Sequence, residues 1–269
     1  GRIEPAAGED VCAAVADFLG HAEPGDFVTQ PERLWPTGLV VSASAPDFRF
    51  RHFVLHLAHL AAAAGGVDAF MIGTEMRGMT FAREGYGHHP FVDGLVQLAA
   101  DVKSVVPSAA VSYAADWSEY HSFRDGGEVT FHLDPLWASP NVDFIGIDNY
   151  LPLTDWRDGT DHLDYQDGLA RSPYDLDYLK GNVEGGEYWD FFYASEADRI
   201  AQIRTPISDA LGKPWVFRQK GLRDWWANAH YNRPSPGAES GTPTAWVPSS
   251  KPVWFTELGC PAVDKGTNQ

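Results

Sequence analysis

The sequence is poor in several features that would narrow its class at once. It has two cysteines, Cys12 and Cys260, near opposite ends of a 269-residue chain. Thiols so far apart give neither a disulfide framework nor zinc-type spacing, and they agree with folding in a reducing compartment. Cationic residues are also scarce, with 20 Lys and Arg against 37 Asp and Glu for a formal net charge of −17. Phosphate binding needs a basic face, so no nucleic-acid partner is expected. An anionic membrane surface is disfavoured for the same reason. No apolar run is long enough to span a bilayer, so no membrane insertion is expected. No Gly-rich phosphate loop follows any strand-like segment, and no nucleophile elbow surrounds a serine. The first residues, Gly1-Arg2-Ile3-Glu4, form neither an initiator start nor a signal peptide. The chain also stops soon after a strong strand motif, so both ends read as cuts from a longer protein.

Aromatic residues are abundant, 13% of the chain with ten Trp. They build cores, and they also make platforms for flat ligands such as sugar rings. The length supports one large domain or two small ones.

Strand-like and helix-like segments alternate. Val11–Leu19 reads as a short helix and 20–36 as a Pro- and Gly-rich loop, with a possible strand over Leu39–Ala43. Phe48–Ala64 has helical apolar spacing and ends at Gly65-Gly66. Val67–Gly73 is an apolar strand that runs into Thr74-Glu75. Phe91–Val106 is a helix stopped by Pro107, then Ala110–Tyr113 a strand followed by Asp116-Trp117. Val142–Ile147 is a strand that leads into Asp148-Asn149-Tyr150, Ser195–Leu211 a helix, and Pro252–Phe255 a strand that leads into Thr256-Glu257. Apolar strands alternating with amphipathic helices predict parallel strands covered on both faces. Polar residues just after strand ends are where a (β/α)₈ barrel keeps its active site. Roughly a hundred residues separate the last two strands, far more than one helix needs, so a long insertion around 151–250 is expected. Lys213–Phe217 and Lys251–Phe255 look alike over five residues only, which fits coincidence or an extra hairpin.

Glu75 and Glu257 have one construction: apolar strand, threonine, glutamate. Two carboxyl groups about 5 Å apart can hydrolyse a glycoside with retention, one attacking the anomeric carbon and the other protonating the leaving oxygen. A lone strand-end glutamate is often only a hydrogen-bonded rim residue, so the pairing carries the weight. Tyr150 could hydrogen-bond the nucleophile or pack on the rim. Trp117 could be a sugar platform. Asp116 could bind a hydroxyl or cap a helix, and Arg77 could pair with Glu75. His132 and Asp134 are ligands by type without matching spacing, so loop structure is expected and no metal site. Asp155, Asp158, Asp161, Asp164 and Asp167 lack the calcium-loop alternation and read as a solvated acidic loop.

Two resemblances follow from these strings. Thr256-Glu257-Leu258-Gly259, on a strand that begins Lys251-Pro252, resembles the nucleophile strand of the large clan of retaining (β/α)₈ glycosidases. Gly73-Thr74-Glu75 resembles that clan's acid/base strand. The clan usually carries Asn before the acid/base glutamate to bond the sugar 2-hydroxyl. Thr74 stands there in this chain, a departure that bears on substrate class and on activity. More closely, AAAAGGVDAFMIGTEMRG, YAADWSEY, FHLDPLW, VDFIGIDNYLPLTDWRDG and SKPVWFTELGCPAVDKGTNQ are similar to the glycoside-hydrolase-like barrel domain of gene-transfer-agent and phage-tail hub proteins.

That resemblance implies an α/β fold of the (β/α)₈ TIM-barrel type over 1–269, lacking the first two strands and the eighth. It implies hydrolysis of O-glycosidic bonds in cell-envelope glycan, peptidoglycan or another surface polysaccharide, with no cofactor. Glu257 would be the nucleophile, and Glu75 the acid/base that carries the higher pKa. Thr74, Asp116, Trp117, Tyr150 and Trp254 would bind substrate. The expected partners are other tail and baseplate proteins, in a phage-like particle made in the bacterial cytoplasm and acting at the recipient envelope. The rival is a structural or glycan-binding barrel without catalysis. An aldolase-like or metal-dependent barrel would need a strand-end Lys or a His cluster, and neither is found.

Overall fold

A short helix, α1 (Val11–Leu19), opens the described part of the chain, which comprises residues 10–28, 40–41 and 47–268 of this computed structural model. Asp10 caps it by accepting the Ala13 N–H at 3.0 Å, and Gly20, at φ 75°, ends it. The strands β1 (Phe27–Val28) and β2 (Val40–Val41) pair antiparallel. They take up part of the expected loop and strand, and 29–39 and 42–46 lie outside the described residues. Helix α2 (Phe50–Ala63) is stopped by Gly65 and Gly66, at φ 102° and 98°. There follow β3 (Ala69–Thr74), α3 (Arg77–Thr80), α4 (Pro90–Val105) and β4 (Ala110–Asp116). A hairpin of β5 (Phe123–Asp125) and β6 (Glu128–Thr130) turns through Gly126-Gly127, both at positive φ. Next come α5 (Asp134–Ala138) and β7 (Ile145–Asn149). Beyond lie α6 (Leu163–Gln166), α7 (Leu176–Gly181), β8 (Phe191–Phe192), α8 (Glu196–Ala201), β9 (Thr205–Pro206), α9 (Leu222–Ala227) and β10 (Val253–Leu258).

By packing, the chain divides into two units, Gly1–Asp148 with His230–Thr256 and Asn149–Ala229 with Glu257–Gln269. In the first, four strands lie in the order β10-β7-β4-β3. The pairs β3–β4 and β4–β7 are parallel. The bonds Ile145 N→Pro252 O and Gly259 N→Asn149 O run β10 in the same direction. The inner strands β4 and β7 are buried almost throughout, which explains their two-sided apolar sequences. Gly146 is required where it stands, because a Cβ there would lie 2.5 Å from the Tyr113 carbonyl oxygen. Helix α4 buries Phe91, Val92, Leu95, Leu98, Ala99 and Val102. The larger of these each contribute about 1.5–3 kcal/mol by leaving water.

Asp134 opens α5, and both it and His132 are buried in the first unit. Asp134 accepts from the buried His230 Nδ1 at 2.8 Å and from the Thr244 hydroxyl. The His230 ring stacks on Phe131 at 4.3 Å, which fastens the returning segment to the first unit. His132 is buried edge-on to Phe81.

The second unit corrects two expectations. The acidic stretch is not uniformly solvated. Asp158, Asp161 and Asp167 face water, but Asp155 and Asp164 are buried. Arg204 joins both, lying 2.6 Å from Asp155, and Arg157 adds a second pair to Asp155 at 2.8 Å. The partner cation comes from about forty residues further on, where no local pattern announces it. The helix expected over Ser195–Leu211 also shrinks to Glu196–Ala201. Ser195 caps it, Gln202 turns left-handed at φ 51°, and Thr205–Pro206 pairs with β8 as a strand. The segment 214–217 forms a 3-10 turn, unlike the strand of 253–258, so of the two readings of their likeness coincidence is the one that fits.

Burial of this ion-pair cluster has a measurable consequence. Replacing Arg204 with Leu leaves the buried Asp164 without its cation, while Asp155 keeps Arg157, and is expected to cost about 3–5 kcal/mol in urea denaturation. Asp158→Asn, on the surface, is expected to stay within about 0.5 kcal/mol. Equal small effects from both would show that the Arg204 cluster holds nothing together.

Candidate active site at the strand ends

The strand ends of the first unit converge on one carboxylate. Asp148, the fourth residue of β7, is fully buried. Its Oδ2 accepts the Thr74 hydroxyl at 2.9 Å and its Oδ1 accepts the Thr256 hydroxyl at 2.6 Å. Thr256 comes from β10, next to β7, whereas Thr74 comes from β3, two strands away across β4. Thr74 is in register with the small Ala114 of β4. A side-chain bond over an intervening strand needs that strand to offer little bulk and the sheet to curve so that facing side chains meet.

Glu75 follows Thr74 at a break in the regular backbone. The register with β4 shifts between Met71 and Thr74. Glu75 then takes φ 51°, a left-handed conformation that costs a non-glycine residue about 1–3 kcal/mol and must be held by its surroundings. Two bonds hold it. The Glu75 N–H donates to the Ala114 carbonyl at 2.9 Å, and the Met76 N–H donates to the Tyr113 hydroxyl oxygen at 2.6 Å. Glu75 is exposed, and one of its carboxylate oxygens lies within 4.8 Å of one from Asp148.

Tyr113 is itself fixed. Its hydroxyl donates to Glu119 Oε1 at 3.0 Å, Thr80 donates to the same oxygen, and the Asp116 N–H reaches Glu119 Oε2 at 3.2 Å. Glu119 is fully buried, and burial pushes its carboxyl up to about 7, although these three donors oppose the shift. Asp116 serves as a turn cap: its Oδ1 accepts the Ser118 N–H at 2.7 Å. Trp117 is half-buried in that turn. Trp254 shares a β10 face with Thr256 and stacks on Phe144 with ring centroids 3.9 Å apart. Arg77 lies over the Phe81 ring, its guanidinium carbon 4.8 Å from the centroid.

In the second unit, the Tyr150 hydroxyl donates to Glu257 Oε2 at 2.7 Å. Gly259 leaves room for the tyrosine ring, since a Cβ there would lie 3.3 Å from it. A largely apolar groove of about 700 Å³ borders this pair, lined by Tyr150, Leu151, Leu258, Gly259 and Cys260 among others.

The structure therefore brings Thr74 and Glu75 to Asp148 and Tyr150 to Glu257, while Asp116 and Trp254 have their own structural partners. Sequence reasoning missed Asp148, Thr256 and Glu119 as working parts. The signal for Asp148 is a carboxylate directly after an apolar strand, in Asp148-Asn149-Tyr150. Glu119 lies in a turn and has no strand-end signal.

Four parallel strands alternating with helices, with polar side chains gathered at the strand ends around Asp148, fit part of a (β/α) barrel. The chain belongs to the GTA TIM-barrel-like domain family, whose model matches residues 48–269. No curated protein is similar enough to match.

The raised Glu119 carboxyl makes stability depend on pH. In the unfolded chain it loses its proton near the ordinary value of 4.5, and in the folded state at about 7. Its contribution is thus fully present below 4.5 and is lost as pH rises to about 7, a fall of about 3 kcal/mol. Glu119→Gln cannot titrate. Urea denaturation from pH 4.5 to 7.5 should show the parent losing that much relative to the variant, and parallel curves would refute a buried titrating Glu119.

Proposed function

We propose that this domain hydrolyses O-glycosidic bonds of cell-envelope glycan by a retaining mechanism with Glu257 as nucleophile and Glu75 as acid/base. The observation that carries it is the Asp148 bridge: the threonine before each glutamate is tied to the same buried carboxylate. Tyr150 orients the Glu257 carboxylate for attack. The left-handed backbone at Glu75 is a local strain of the kind that gathers at functional positions.

In the first step a Glu257 oxygen bonds to the anomeric carbon, the glycosidic C–O bond breaks, and Glu75 gives its proton to the departing oxygen. In the second step water adds to that carbon, Glu75 takes the water proton, and Glu257 leaves as carboxylate. No charge other than the protein's own is needed. Thr74 is the closest polar side chain before the acid/base residue, so it is the group we assign to substrate contact there, with Trp117 as a platform.

Family membership supports a gene-transfer-agent particle as the setting. In that setting the domain works in the particle's tail, against the recipient envelope, with other tail and baseplate proteins as neighbours. Peptidoglycan or a surface polysaccharide is the substrate class.

The test is release of reducing ends from purified peptidoglycan and capsular polysaccharide, with product anomers followed by NMR. Glu75→Gln should slow release by roughly 100- to 10,000-fold. Glu257→Gln should abolish it, and the first-formed anomer should keep the substrate's configuration. Inverted product, or unchanged release by both variants, would sink the mechanism. Binding of glycan without any release would make this a recognition barrel instead.

A further inference from the structure

Away from the strand ends, three side chains with metal-ligating atoms meet where α1 packs beside α4. Cys12 Sγ lies 3.0 Å from Glu84 Oε2, and His88 Nδ1 lies 3.4 Å from the same oxygen. All three donor atoms fall within 4.8 Å of one another. Zinc bonds of 2.0–2.3 Å in a tetrahedron separate neighbouring ligand atoms by about 3.5 Å. The spacing found is thus close to what one ion would impose, and small rotations of exposed side chains complete it.

Three further features make this more than a chance surface cluster. The first is the turn that presents Glu84 and His88. Its ends are joined by Glu84 N→His88 O at 3.0 Å, and Gly85 and Gly87 take φ 78° and 73°, conformations that let so short a loop close. The second is His88 Nε2, 3.2 Å from Asp93 Oδ2. A histidine that ligates through one nitrogen commonly donates the other N–H to a carboxylate, which fixes its tautomer and ring plane. The third is the approach of α1. Gly94 of α4 makes room for Leu19, since a Cβ at Gly94 would lie 2.3 Å from a Leu19 methyl, so α1 is held against α4 at the end opposite Cys12.

We infer that Cys12, Glu84 and His88 bind one divalent transition-metal ion, with Asp93 as the outer partner of His88, and that the ion staples α1 to the turn before α4. A thiolate, an imidazole and a carboxylate together suit zinc, a borderline ion, better than magnesium or calcium, which prefer oxygen alone. The site is separate from the glutamates at the strand ends and stands or falls without them. Sequence spacing concealed it because Cys12 is 72 residues from Glu84.

The experiment is a cobalt(II) titration of the whole chain, followed by zinc competition against a chromogenic chelator. One equivalent of cobalt should produce a thiolate-to-cobalt charge-transfer band. That band should vanish in Cys12→Ser and persist in Cys260→Ser. Zinc affinity should fall at least tenfold in Glu84→Ala and His88→Ala, and roughly 10- to 100-fold in Asp93→Asn. Zinc should also raise the Tm of the parent and leave that of Cys12→Ser unchanged, with matching far-ultraviolet circular dichroism as the check that both are folded. Absence of the band at excess cobalt, its survival in Cys12→Ser, or its loss in Cys260→Ser would each overturn the assignment.

Discussion

The hydrogen bonds from Thr74 and Thr256 to Asp148 are the constraint on which the strand-end geometry rests. A buried carboxylate is costly unless its oxygens are satisfied, and here each oxygen has a hydroxyl from a different strand. The arrangement fixes the positions of β3 and β10 at the ends where their side chains matter. It depends on small residues nearby: Ala114, in register with Thr74, and Gly146, whose missing side chain lets β7 approach β4. Strand pairing alone would leave the last residues of each strand free to fray.

A second shell of constraint lies behind Glu75. The chain of bonds from Met76 through Tyr113 to Glu119 is buried and belongs to β4 and the turn after it. Glu119 keeps Tyr113 in place, and Tyr113 receives the backbone N–H just beyond the left-handed residue. The local conformation of an exposed glutamate is thus set by groups that no solvent reaches. In the second unit the same logic appears with charges, where Arg204 serves two buried aspartates and Arg199 serves Glu187. Both arginines are half-buried, and each reaches inward to a carboxylate that solvent hardly touches.

Much of the architecture was legible from periodicity. The segment before β3 shows helical apolar spacing with a double-glycine stop, and α4 has a clear buried stripe ended before Pro107. Both glutamates could be named because strand, threonine and glutamate are contiguous. What stayed hidden was every feature made by residues distant in sequence. Asp155 looks like its neighbours Asp158 and Asp161 until Arg204 is brought to it. The helix expected over Ser195–Leu211 ends early because Gln202 turns left-handed and Thr205–Pro206 finds a strand partner, a tertiary preference over a local one. Asp148 as a common anchor is visible only when β3, β7 and β10 are assembled.

The backbone of Glu75 has a further implication. Its left-handed conformation is one that glycine adopts at no steric cost, so the side chain is kept there against a local preference for its removal. Glycine at this position would relax the backbone and remove the carboxylate in one step, so the shape of the turn and the charge it presents are set by the same residue.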